Sequence, residues 1–149
     1  MYEKMLVPLD GSEEKEVIIP YIKELASRLN TEVILFRVVE QEYKFYEGAD
    51  DFSHIPFSEK EMQPIRVNAK RYLEEVGSTL KDKRITLRYE VRVGSPAREI
   101  VKFAEEIGAD IVAMSTSARS GISHYASGSI VDKVVHDGNT PVFLVRIPK

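Results

Sequence analysis

Residues 115–129, STSARSGISHYASGS, concentrate serine, glycine and alanine between an apolar run and an amphipathic one. Small side chains let a chain turn a tight corner, or let backbone N–H groups approach a ligand closely. Gly128-Ser129 stands where a helix is about to open. Unpaired N–H groups and the positive end of the helix dipole favour an anion there, and Ser129 adds its hydroxyl. Arg119 brings a cation into the same segment. These residues describe a phosphate site, although serine-capped helix starts are equally common for purely structural reasons. A second candidate is Asp10 in KMLVPLDGS, a carboxylate that ends a buried strand. It serves either as a ligand group or as a turn-former that accepts N–H bonds from Gly11 and Ser12.

Other constellations are missing from the sequence. No Walker loop spacing occurs, and no Rossmann glycine triplet follows the first strand. No serine has glycines two residues to either side, so a nucleophile elbow is excluded and no catalytic serine is expected. His54, His124 and His136 are isolated from one another, and His136, four residues after Asp132, reads as a surface pair near a helix end. No metal site is expected. Glu74 with Glu75, and Glu105 with Glu106, fall on exposed helix faces and read as solvation rather than acid–base machinery. The absence of cysteine fits a reducing compartment and removes disulfides, thiolate zinc sites and cysteine nucleophiles. With 21 Lys and Arg against 24 Asp and Glu, both interspersed, the net charge of −3 gives no basic field for nucleic acid. No apolar stretch approaches the roughly 20 residues of a membrane span, and Met1 leads directly into a strand pattern with no room for a signal peptide. A cytoplasmic protein without a membrane partner is expected.

A repeating strand–helix pattern must position these residues. At 149 residues and 43% hydrophobic content, a single domain over 1–149 is expected. Residues 5–9 form a short buried strand; a helix over 13–29 follows, capped by Ser12, with Val17, Ile18, Tyr21, Ile22, Leu25, Ala26 and Leu29 on one face and Asn30 as its stop. EVILFRVV is a strand covered on both faces. Residues 40–57 show no sustained period and hold Tyr43, Phe45, Tyr46, Phe52 and Phe57. They read as a loop excursion, tacked down by its own aromatics or serving as a lid or partner contact. Ser58 and Glu61 make a capping box before a helix to about residue 80, with Pro64 near its first turns. An alternating strand over 85–93 leads to a helix with Ser95 as N-cap, Pro96 in its first turn and Gly108 as its end. ADIVAMS is a strand, IVDKVVHDG a short amphipathic helix, and TPVFLVRI the last strand. Alternating strands and helices imply an α/β fold, an open doubly wound parallel sheet with helices on both faces, in the order 2-1-3-4-5 or 3-2-1-4-5. In the second order Asp10 and Ser115 flank one crevice beyond the carboxyl ends of the strands.

LVPLDGSEEKE, LFRVVE, VRVGSPAREIVKFAEEIGADIVAMS and ARSGISHYASGSIVDKVVHDGNTPVFLVR together make the sequence resemble the universal stress protein family over nearly its whole length. The resemblance implies the Rossmann-like order 3-2-1-4-5 and a homodimer through the last strand, residues 142–147. Family members that bind ATP carry glycine, two residues, glycine, nine residues, glycine, then Ser or Thr. Ser115, Ala118, Gly128 and Ser129 occupy those positions here, so the spacing is kept and the first two glycines are replaced. RSGIS and GSIVDKVV are similar to the nucleotide-binding branch. By the same resemblance Asp10 and Val38 face adenine and ribose, while Ser115, Ala118, Arg119, Gly128, Ser129 and Ile130 face ribose and phosphates. Pro8, Leu9 and Met114 complete the implied cofactor-binding set. The implied ligand is ATP, AMP or ADP, with Mg²⁺ as companion ion. A Cβ in place of either glycine costs about 1 kcal/mol or more if the backbone needs positive φ. One or two kcal/mol lowers affinity by about 5- to 30-fold. The expectation is therefore a nucleotide-binding regulatory module of reduced affinity; the alternatives are a structural homodimer without nucleotide and a slow ATPase with Asp10 as its only candidate base.

Overall fold

The computed structural model describes residues 2–45, 54–117 and 129–148. Ala118, Arg119 and Gly128, like Tyr46 and Phe52, lie outside the described residues. In chain order the elements are β1 (Lys4–Pro8), a 3-10 turn (Glu13–Ile18), α1 (Ile19–Leu29), β2 (Glu32–Val39), β3 (Tyr43–Phe45) and β4 (His54–Pro56). There follow α2 (Glu59–Gly77), a second 3-10 turn (Ser78–Leu80), β5 (Thr86–Val93), α3 (Pro96–Ile107), β6 (Ile111–Ser117), α4 (Ile130–Asp137) and β7 (Val142–Ile147).

The central strands are near-continuous apolar runs because helices cover both of their faces. Met5, Val7, Val33 and Leu35 point to one side, where Ile22 and Ala26 of α1 and Leu73 and Val76 of α2 close over them. Leu6, Ile34, Phe36, Val112 and Met114 point to the other, against Ile100 and Phe103 of α3 and Val131 and Val134 of α4. The strand period of two thus meets the helical period of 3.6 on both sides of one sheet. All its pairings are parallel, in the order β5-β2-β1-β6-β7, which is 3-2-1-4-5 in sequence. Of the two orders that the element pattern left open, this is the one the family resemblance implied.

The first helix differs from expectation. Residues 13–18 form a 3-10 turn and the α-helix begins at Ile19, with Pro20 in its first turn. Proline has no N–H to donate and its ring crowds the carbonyl four residues earlier, so an α ladder starts readily at Pro20 and is weakened where it runs through a proline, as α2 does at Pro64. Ser12 accordingly caps no α-helix; Ile18 stands at the N-cap of α1 without a side-chain bond. Ile19 enters the buried face, while Tyr21 and Leu29, expected there, are 52% and 46% exposed. Asn30 ends the helix in the left-handed conformation (φ 52°).

Residues 40–57 also hold more order than a loop. β3 and β4 pair antiparallel, Tyr43 opposite Pro56 and Phe45 opposite His54. Phe57 packs beside Val39, Met62 and Ala69, whereas Tyr43 and Phe45 lie on the surface. The capping box of α2 is complete: Glu61 N–H donates to Ser58 Oγ and Ser58 N–H donates to Glu61 Oε1, both at 3.2 Å. Gly108 closes α3 with φ 64°, while Ser95 occupies the N-cap position without a side-chain bond.

Candidate functional site

Parallel strands deliver all their carboxyl ends to one edge of the sheet, and there a cleft of about 250 Å³ opens between β1 and β6. β1 leads into Pro8, Leu9 and Asp10, and β2 contributes Phe36 and Val38. β6 supplies Met114, Ser115 and Thr116. Pro96 and Ile100 of α3 form a further wall, and Ser129, Ile130 and Val131 close it at the start of α4. The structure thus gathers Pro8, Leu9, Asp10, Val38, Met114, Ser115, Ser129 and Ile130 around one space.

Local sequence explains each placement. Leu9 N–H donates to the Phe36 carbonyl at 2.8 Å, which carries the β1–β2 ladder one residue beyond β1. Gly11 then turns the chain with φ +89°, a conformation that side chains with a Cβ disfavour. Asp10 Oδ1 accepts from Ser12 N–H at 2.9 Å and from Ser12 Oγ at 2.7 Å. Asp10 therefore forms an Asx turn with Ser12 and lines the cleft at once, so the two readings of this residue do not exclude each other. At the far end Ser129 is the N-cap of α4, its Oγ accepting from Asp132 N–H at 3.1 Å. The first amides of that helix have no intrahelical partner and carry the positive end of its dipole.

The walls between these polar ends are apolar. Phe36 is fully buried and stacks on Phe103 with ring centroids 4.7 Å apart and planes 21° from parallel. Ser115 is 5% exposed and lies deep in the cleft, opposite Val145 in the sheet register. Among the described lining residues Asp10 is the only charged group. Such a slot suits a flat apolar ring system with a hydrogen-bonding edge toward Asp10 and an anionic group toward α4. Among the described residues no group of three or more His, Cys, Asp or Glu side chains is arranged to hold a metal. No helix among them is long and apolar enough to cross a membrane.

Phe36, Pro96, Ile100, Thr116 and Val131 line the cleft without having been singled out in the sequence. Two signals were available. Phe36 shares a strand face with Val38, and Pro96 opens the helix that follows a strand ending on the same sheet edge.

The universal stress protein family model matches residues 1–146. The chain belongs to the universal stress protein family. A universal stress protein of Methanothermobacter thermautotrophicus is 31% identical, with 98% of this chain and 97% of the relative covered. Universal stress protein MJ0577 of Methanocaldococcus jannaschii is 28% identical, covering 98% of this chain and 96% of its own. Its solved structure superposes with a TM-score of 0.70, over 100% of this chain and 99% of that one. A universal stress protein solved in complex with cAMP shares the fold at a TM-score of 0.71 and 19% identity, over 99% of this chain and 98% of that one. The Rossmann-like α/β sheet of this universal stress protein is thus that of its family.

Proposed function

We propose that this universal stress protein is an adenine-nucleotide-binding regulatory module. The observation that carries the reading is the cleft itself, which joins Asp10 and Val38 to the serine-capped start of α4 across apolar walls. Asp10 would accept from the amino edge of adenine, Val38 would pack against the base with Phe36 behind it in the core, and the α4 amides with Ser129 would meet phosphate. Family membership supports this assignment, as does a structural neighbour that holds cAMP.

Affinity is reduced relative to glycine-bearing motifs, because Ser115 and Ala118 carry a Cβ at the two motif positions that glycine occupies in family members that bind ATP. AMP and ADP are favoured over ATP on the same ground, and no step of the reading requires Mg²⁺. The domain spans 1–149, and its cysteine-free composition favours the reducing cytoplasm.

Calorimetry with ATP, ADP and AMP tests the proposal. Binding with no phosphate release is the expected result; no heat at millimolar nucleotide overturns it, and Mg²⁺-dependent phosphate release would move the assignment to a slow ATPase. Reverting Ser115→Gly together with Ala118→Gly tightens binding by about 5- to 30-fold, the equivalent of one to two kcal/mol.

The mostly apolar β7, with Arg146 its one charge, supports a second reading, a homodimer built through Val142–Ile147. Leu144 is 43% exposed in the middle of that strand, and no further strand pairs with β7 among the described residues. The two readings are compatible, and sedimentation at several concentrations tests the second.

A further inference from the structure

Arg37 lies on β2 beside Phe36 and Val38 but points to the opposite sheet face, and it is not among the residues that line the cleft. It pairs with no carboxylate among the described residues. A partly buried guanidinium without an ion pair is costly unless other contacts hold it. Here those contacts are flat surfaces. A Cβ built on Gly11 would stand 3.0 Å from Arg37 Nη1 and 3.1 Å from both Cζ and Nη2. Near-equal distances to three guanidinium atoms mean that the plane of the group lies face-on to Gly11. The same guanidinium carbon is 5.2 Å from the centroid of the Tyr72 ring on α2.

Tyr72 is itself anchored, since its hydroxyl donates to Glu16 Oε2 at 3.3 Å, in the 3-10 turn just after Gly11. Burial, followed by the carboxylates of Glu16 and Asp10, pushes that hydroxyl well above the usual phenol range, with Arg37 opposing. Asp10, Glu16, Arg37 and Tyr72 therefore form one electrostatic cluster, and Tyr72 stays a neutral donor within it. Three elements, β2, α2 and the 3-10 turn, converge on the backbone of residues 10–12.

We propose that Arg37 is a positioning residue of the cleft: by stacking on the left-handed Gly11 and on Tyr72 it holds the turn of residues 10–12 so that Asp10 faces the cleft. Only a planar cation can face a peptide and an aromatic ring in this way, so lysine is not an equivalent. Glycine at position 11 serves both requirements, the positive φ and the close approach of the guanidinium. The consequence for ligand rests on the adenine-nucleotide reading above; the holding of the turn does not.

The test uses the full chain as wild type, Arg37→Ala, Arg37→Lys, Asp10→Ala and the double variant Arg37→Ala with Asp10→Ala. Hydrogen exchange of the Ser12 amide, which is bonded to Asp10, is read without nucleotide and against amides of β1 and β6 as internal controls. AMP affinity is read by calorimetry. In Arg37→Ala the Ser12 amide exchanges faster while the strand amides do not, and AMP affinity falls roughly 3- to 10-fold, the range for a lost cation–π contact. Arg37→Lys restores neither readout, and Arg37→Ala has no further effect on AMP once Asp10 is already alanine. Unchanged Ser12 exchange in Arg37→Ala overturns the proposal, as does an equal loss of affinity in the Asp10→Ala background or full rescue by lysine. If wild type binds no AMP, the nucleotide reading falls and with it the ligand consequence, while Ser12 exchange still decides whether Arg37 holds the turn. Should Arg37→Ala not fold, Tyr72→Leu removes the ring beneath the guanidinium and is judged by the same readouts.

Discussion

The two edge strands of the sheet are built on opposite plans. β5 alternates: Leu87, Tyr89 and Val91 pack toward α2, while Arg88, Glu90 and Arg92 occupy the other face. Those charges are engaged. Arg88 pairs with Glu32 at 3.1 Å, and Arg92 pairs with Glu106 at 2.7 Å while its guanidinium carbon lies 4.5 Å from the centroid of the Phe103 ring. β7 is instead mostly apolar, with Phe143 and Val145 in one core layer, Val142 against the other, Leu144 exposed and Arg146 its one charge. A charged edge strand discourages a second chain from adding to it, and an apolar one invites it. One edge of the sheet thus has its charges engaged and the other is largely uncharged, and the homodimer proposed through Val142–Ile147 uses the second.

Substitutions at and beneath the two edges test this contrast. The largest effect is expected at Phe103, which is 3% exposed and lies between Phe36 and Arg92 as the anchor of the closed edge. Phe103→Ala lowers stability by about 3–5 kcal/mol in urea unfolding. A loss below about 1 kcal/mol would show that the charged edge is not held through this ring.

Next comes the open edge. If the proposed homodimer forms through β7, Leu144→Lys, which adds a second charge to the face that carries Arg146, shifts it toward monomer by on the order of 2 kcal/mol of association free energy, visible by sedimentation. The mirror experiment, Arg88→Val with Arg92→Val, makes β5 resemble β7, and new higher-order species should appear. Unchanged association in both experiments would remove edge character as the determinant of assembly.

The smallest effect is electrostatic. Arg92 holds the Glu106 carboxyl below its ordinary pKa of 4.5, chiefly by hydrogen bonding. A carboxylate lowered in the folded state contributes stability that is fully present above pH 4.5 and is lost as pH falls through the folded value. Glu106→Gln should therefore lower Tm slightly at pH 7 and not at pH 3, consistent with a solvent-screened surface pair. An equal Tm difference at both pH values would assign the effect to something other than this ion pair.

The alternation of β5, with its charged face, was readable because strand period and side-chain type are local properties. So was α3, bounded by Pro96 and Gly108, and so was the capping box of Ser58 and Glu61. The 3-10 start before α1 had its signal in Pro20, which the apolar period of residues 17–29 obscured. β3 and β4 could not be read, because three-residue strands are too short to show a period and their pairing depends on residues distant in the chain. In the cleft, Asp10 stood out as a charge ending an apolar run. Phe36 and Ile100 did not, since a residue facing a cleft and one facing the core look alike until the neighbouring elements are placed.

Local patterns of residue type were enough for the five strands of the main sheet, for the apolar faces of most helices, and for the short segments that carry groups suited to an anion. Hydrophobic periodicity left two strand orders open, because it is the same in either, and only the family resemblance pointed to 3-2-1-4-5. Only the tertiary structure, by pairing Leu6 with both Ile34 and Val112, set β1 between β2 and β6 and so put Asp10 and Ser115 on one cleft. That choice depends on how whole layers pack against each other, a free energy summed over contacts distant in the chain and therefore not written in any one segment.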